Sequence, residues 1–290
     1  KSNMVEPLKN SFGGPEALAA AVDYTEVRYI EVMQGLSSEP QSDSMNQRAW
    51  RHSHPTTGAW FSAACYAFGS NLYDHLDRNV PIGLLAIMFS GKKIELFSAP
   101  EAIADDTCGG TQPSAPRPMY PGDQYGMPSE LWNHMLNPLL NIPVRGVIWS
   151  HGESEANSDS SESYACRLPA LIVDWRAKFN RPNMAFIIAQ LTASRFTDFS
   201  SLREAQLVWA LLLPDTSYAT TIDIGESNHE TPEYVNYHSR RQLEVGRRLA
   251  LTAMYISYHA DYRGVGPEVS TVERLASGQV RVNYAPGTAH

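Results

Sequence analysis

Val144-Arg145-Gly146-Val147-Ile148-Trp149-Ser150-His151-Gly152-Glu153-Ser154-Glu155 decides how this 290-residue chain is read. Gly146 to Trp149 is a short, partly β-branched apolar run bounded by Pro143 and Gly152, the pattern of a parallel strand buried on both faces. It stops abruptly in small and polar side chains: Ser150, His151, Gly152 and Glu153. Ligands of open α/β sheets bind beyond the carboxyl ends of the strands, so chemistry would sit at this tip. An ordinary loop could carry the same letters, and the choice rests on what else reaches that edge.

Outward from this strand, two periodicities alternate. Glu26 to Val32, Pro81 to Phe89, Met184 to Gln190 and Tyr218 to Ile224 read as strands. Gly58 to Asp77, Glu130 to Leu140, Ala165 to Phe179, Ser201 to Leu213 and His238 to Tyr258 read as helices. Strands alternating with helices predict a three-layer α/β/α sandwich around a mainly parallel, flavodoxin-like sheet. Polar loops are expected over residues 34–57, 105–128 and 154–163, and Trp60, Trp175 and Trp209 are expected in the core. Pro267 to Tyr284 switches to β-like alternation. The chain therefore divides into an α/β domain over residues 1–260 and the start of a β-rich segment over residues 261–290.

A net charge of −8 argues against a nucleic-acid backbone or an anionic membrane as partner. No apolar run reaches the roughly 18 residues that a membrane span needs. Cys65 lies in an apolar helical run and reads as a core thiol, whereas Cys108 and Cys166 would be free to pair in a secreted protein. Neither the cysteines nor His52 and His54 have metal-ligand spacing, and no metal site is expected.

Three strand-to-helix junctions converge: Ser2-Asn3, Ser90-Gly91 and His151-Gly152-Glu153. His238 stands at the start of the last long helix. A serine at one strand end and a histidine far along the chain is the arrangement of an ester hydrolase. The imidazole takes the hydroxyl proton, and N–H donors hold the oxyanion.

These residues carry a resemblance to the sialate O-acetylesterase family, a branch of the SGNH (GDSL-like) hydrolases. Ser2-Asn3-Met4 matches the end of that family's Gly-Gln-Ser-Asn-Met motif. Trp149-Ser150-His151-Gly152-Glu153-Ser154 matches its Trp-Tyr-Gln-Gly-Glu-Ser, and Leu131 to Leu139 its Leu-Trp-Asn-x-Met-x-x-Pro-Leu helix. Pro169 to Arg176, Arg203-Glu204-Ala205-Gln206 and the helix Gly246 to Leu251 follow the family as well. The resemblance implies an SGNH fold, Ser2 as nucleophile and His238 as general base. It puts the N–H groups of Ser2 and Gly91 in the oxyanion hole, and Asn133, His151, Gly152 and Glu153 about the substrate. It implies no metal or organic cofactor, an O-acetylated sialic acid or related glycan as substrate, and an extracellular or lysosomal, secretory location.

The departures fall on the chemistry. Lys1 stands where the family has Gln, Ser90 and Lys92 alter the turn around Gly91, and His151 replaces a Gln. The family's Asp before its His has no counterpart, the positions here being Val235 and Asn236, although Glu226, Glu230 or Glu233 could substitute. An inactive relative, kept as a carbohydrate-binding or structural subunit, is the alternative to an active esterase. In this fold a buried strand leads into the nucleophile turn, yet only Lys1 precedes Ser2. The chain is therefore expected to be a piece of a longer protein, its sheet completed by an upstream segment or another polypeptide.

Overall fold

The computed structural model describes residues 3–43, 49–104, 108, 126–156, 158–194, 197–227, 235–236, 239–261, 264–286 and 288. After a short turn at Asn3–Val5, the elements begin with α1 (Gly14–Ala19), β1 (Val27–Glu31), β2 (Arg51–His52), α2 (Pro55–Gly58) and α3 (Ala63–His75). Next come β3 (Ile82–Ala86), α4 (Ile94–Phe97), α5 (Pro100–Ala104), β4 (Gly146–Trp149), α6 (Ser158–Lys178) and β5 (Ala185–Ala189). The chain continues through α7 (Ser200–Leu212), β6 (Thr216–Ala219), β7 (Glu226–Ser227), β8 (Val235–Asn236) and α8 (Gln242–Tyr258). It ends in β9 (Val269–Arg274) and β10 (Val280–Tyr284).

The expected parallel layer is present, in two halves. β1 and β3 run parallel, with β2 antiparallel on the far side of β1, and β4, β5 and β6 form a parallel triplet. Period-two alternation sorts β5 between two cores. Phe186 and Ile188 meet Leu168, Leu171 and Trp175 of α6 and Leu202 of α7. Ile187 and Ala189 share the opposite core with Val27 and Tyr29 of β1, Leu84 of β3, and Leu249 and Ala250 of α8. Helices therefore cover both faces, which is why the strands read as continuous apolar runs.

Gly246 brings α8 against α3. A Cβ there would lie 2.3 Å from the Ala64 carbonyl oxygen and 2.6 Å from the Ala67 side chain, so only glycine permits the approach.

Several expected boundaries move. Residues 158–163, expected as loop, form the first turns of α6. The last long helix starts at Gln242, four residues beyond His238. The expected helix over Glu130 to Leu140 is a π-helical turn at Trp132–Leu136 followed by a 3₁₀ turn at Asn137–Leu139. Pro138 has no N–H to continue an α-helical ladder.

Trp60 is a correction. It lies in the turn between α2 and α3 and is 68% exposed, whereas Trp175 is buried as expected. Phe61, its neighbour, points inward instead.

β9 and β10 form an antiparallel hairpin with two unlike faces. Arg281 pairs with Glu273, and Asn283 hydrogen-bonds Thr271, on one face. Val272 lies opposite Val282 and Val269 opposite Tyr284, and these side chains are exposed.

Candidate active site

The loops after β1, β3 and β4 are tied to one another. His151 follows β4 and is 1% exposed. Its Nε2–H donates to the Lys92 carbonyl at 2.9 Å, which fixes the proton on that nitrogen because a carbonyl only accepts. Two residues on, the Ile94 N–H donates to Oε1 of buried Glu155 at 2.8 Å. The turn carrying Ser90 and Gly91 is thus clamped to the β4 loop by one imidazole and one carboxylate.

Gly91 sits at φ +67°, exposed, with no atom within 4 Å of where a side chain would start. That leaves room for a ligand over its backbone. Gly152 is at φ +138°, and a Cβ there would come 2.8 Å from Leu191 Cδ1, so the sharp turn out of β4 requires glycine. Glu153 opens the 3₁₀ turn Glu153–Glu155.

Behind His151 stands a buried polar group that sequence reasoning did not assign. Gln206 Nε2 donates to the His151 carbonyl at 2.8 Å, while its Oε1 accepts the Leu191 N–H at 2.9 Å. Tyr164 also donates to the His151 carbonyl, at 3.3 Å, and burial pushes its phenol up to about 12. The Arg203 to Gln206 motif marked the residue, and the fold sets Gln206 to brace the loops after β4 and β5.

Asn133 is buried, and its Nδ2 donates to the Ser37 carbonyl at 3.1 Å. The Asn133 carbonyl accepts the Gln41 N–H at 2.9 Å, so this residue fastens the 37–41 loop that follows β1. Its Oδ1 is buried without a hydrogen-bond partner among the described residues.

Ser2 and His238 lie outside the described residues, as do Lys1, Glu230 and Glu233. Their neighbours are placed. Asn3–Val5 turns toward α3, and buried Ser239 precedes α8. Glu226 lies opposite Asn236 across β7 and β8. Its carboxylate takes the Arg240 guanidinium at 2.7 Å and the Arg240 N–H at 3.1 Å, and this pairing holds it below the usual carboxylate range. Glu226 therefore anchors the segment on both sides of residue 238. Asp223 is likewise paired with Arg248 at 2.7 Å.

A cavity of about 620 Å³ opens between α1, α3 and α8, lined by Phe12, Tyr66, Asn71, Arg241 and Glu244 among others. Cys108 and Cys166 form a disulfide, and Cys166 stands on α6.

A family described as carbohydrate esterase, sialic acid-specific acetylesterase, matches residues 51–255. The chain belongs to this family. The matched range of the sialic acid-specific acetylesterases takes in Gly91, Asn133, His151, Gly152, Glu153 and His238, and begins after Ser2. Sialate O-acetylesterase of Homo sapiens is 28% identical over 313 residues, covering 98% of this chain and 57% of the human protein. The Mus musculus enzyme is 27% identical over 333 residues, covering 98% of this chain and 60% of the mouse protein. The chain thus spans less than two thirds of the length of these relatives. A crystal structure of a carbohydrate acetylesterase from Xanthomonas citri superposes with a TM-score of 0.82 at 27% identity, covering 98% of this chain and 61% of that one. The SGNH-type α/β fold expected from the sequence is therefore the fold of the chain.

Proposed function

We propose that this carbohydrate esterase removes O-acetyl groups from sialic acid or related sugars, with Ser2 as nucleophile and His238 as general base. Ser2 Oγ attacks the acetyl carbonyl as His238 takes its proton. The N–H groups of Ser2 and Gly91 hold the oxyanion. Collapse expels the sugar alcohol, which receives the proton from His238. A water activated by the same imidazole then releases acetate and restores Ser2. In this reading His151, Gly152 and Glu153 shape the substrate edge and set the Gly91 turn. Asn133 holds the 37–41 loop beside the acyl group.

The observation that carries the reading is the clamp from His151 to the Lys92 carbonyl, at 2.9 Å, within a chain of this family. It ties the turn that carries Gly91 to the loop after β4. The test is hydrolysis of 4-nitrophenyl acetate and of an O-acetylated sialic acid by the protein and by Ser2→Ala. A loss of about three orders of magnitude or more in the variant supports the proposal. Equal rates for the two would leave the non-catalytic, carbohydrate-binding reading in its place.

Two further readings accompany it. β3 and β4 each have a ladder partner on one side only among the described strands. We propose that an additional extended segment, from upstream or from another chain, pairs beside one of them; slow amide exchange along β3 and β4 only in its presence would support this. The Cys108–Cys166 bridge supports a secretory or lysosomal location, since such bonds persist in oxidising compartments. Recovery of this disulfide intact from the native source is the check.

A further inference from the structure

Trp60 is the most exposed of the large apolar side chains among the described residues, at 68%, and its backbone is held on both sides. The Ala59 carbonyl accepts the Lys9 N–H at 3.1 Å, and the Phe61 carbonyl accepts the Leu8 N–H at 2.9 Å. Pro7 bridges Ser62, whose side chain caps α3. The indole is therefore presented to solvent by a fixed turn. Lys9 Nζ stands 3.0 Å from its ring centroid. Among the described residues no carboxylate lies within ion-pair range of Lys9, so its charge is turned to the ring and to solvent.

The position follows from topology. α3 packs against β3 and ends just before it, so the turn at residues 59–62 lies at the carboxyl end of that strand, where Gly91 also sits. Residues 7–9, paired with this turn, lie a few positions after Ser2. The same rim carries a second pair of the same kind. The exposed ring of Phe12 lies 4.4 Å from the Arg240 guanidinium, and the Phe12 N–H donates to the Arg240 carbonyl at 2.9 Å. Arg240 is two residues after His238.

We propose that Trp60 and Lys9 form a subsite for a carboxylate-bearing sugar, the indole stacking on the apolar face of the ring and the ammonium meeting the carboxylate. This rests on the esterase reading above and names what that site selects. Aromatic rings offer a broad apolar face at small entropic cost. An ammonium not paired to a carboxylate gives charge-assisted hydrogen bonds to an anion. In a chain of net charge −8, a cation held at the rim is where an anionic sugar is attracted rather than repelled. A neutral acetylated sugar would gain only the stacking half.

The test compares the protein with Trp60→Ala, Lys9→Gln and Lys9→Arg. Substrates are 4-nitrophenyl acetate, an O-acetylated sialic acid and an acetylated neutral hexose, and free N-acetylneuraminic acid is titrated in parallel. Lys9→Gln should raise KM for the acidic sugar about tenfold and leave the neutral sugar unchanged, with Lys9→Arg restoring most of the loss. Trp60→Ala should weaken both sugars, and no variant should alter turnover of 4-nitrophenyl acetate. Equal effects of Lys9→Gln on acidic and neutral sugars, or none on either, would overturn the subsite while leaving the esterase intact. Binding of the free acid that depends on Trp60 and Lys9, in a protein without Ser2-dependent hydrolysis, would keep the subsite and discard the esterase.

Discussion

The rings of His151 and Tyr164 are stacked, their planes 6° apart and their centroids 5.8 Å apart. Trp149 is also stacked with the imidazole, centroids 5.1 Å apart, and Phe97 meets it edge-on at 5.7 Å. A polar ring held among three aromatic ones has little freedom, so the Lys92 carbonyl is gripped by a fixed donor. His151→Ala would open a cavity and leave that carbonyl unpaired, costing about 2–5 kcal/mol. His151→Gln keeps a donor and should cost less than the alanine. Urea unfolding of the two variants, with ester turnover measured alongside, tests the order.

Gly152→Ala is expected to destabilise by about 2–4 kcal/mol, because a left-handed backbone and a clash with Leu191 act together. In a double-mutant cycle with Leu191→Ala, the coupling energy should report only the steric share. A thermal melt of the single and double variants separates the two.

Acid should loosen the start of α8 first. Hydrogen bonding to Arg247 holds Glu244 at about 2, against an ordinary 4.5, and arginines likewise hold Asp223 and Glu226 low. A carboxyl whose folded value is depressed contributes stability that is full above its unfolded value and lost as pH falls toward the folded one. The Glu244 contribution therefore disappears between about pH 4.5 and about pH 2. Arg247→Ala should flatten the curve of unfolding free energy against pH in that window.

Reducing the Cys108–Cys166 bridge releases a span of 58 residues. Chain-entropy arguments assign such a loop about 4 kcal/mol. Cys108→Ser with Cys166→Ser should lower the denaturant midpoint accordingly, and a reductant should do the same to the parent chain but not to the variant.

The hairpin β9–β10 is proposed as part of a separate β-rich unit beginning near residue 261. Its exposed valines contribute little to the sandwich, so a chain ended after Gly266 should keep its stability within about 0.5 kcal/mol and its ester turnover. A large drop in melting temperature would instead make the hairpin part of the α/β core.

The strands were legible because a parallel sheet covered on both faces demands uninterrupted apolar runs, as in Ala185–Ala189. The helix starts were less so. Residues 158–161 have the composition of a loop, yet they form the first turn of α6. Trp60 was misplaced for a related reason. Gly58 to Asp77 has helical periodicity throughout, but the chain breaks at Ala59–Ser62, and that break turns the indole from core to surface. At the site, motif letters marked Gly91, Asn133 and His151, yet no spacing rule says that a histidine after β4 will hold the carbonyl of residue 92. Such ties join residues some sixty positions apart and exist only once the sheet has formed.

Gly246 has one more consequence. The Gly246 backbone sits directly against Ala64, Ala67 and Phe68 of α3, so whatever stands at 246 sets the spacing of the two helices. One end carries the turn with Trp60, the other the segment that follows His238. A methyl group at 246 would act as a wedge between them, prising α8 away from α3.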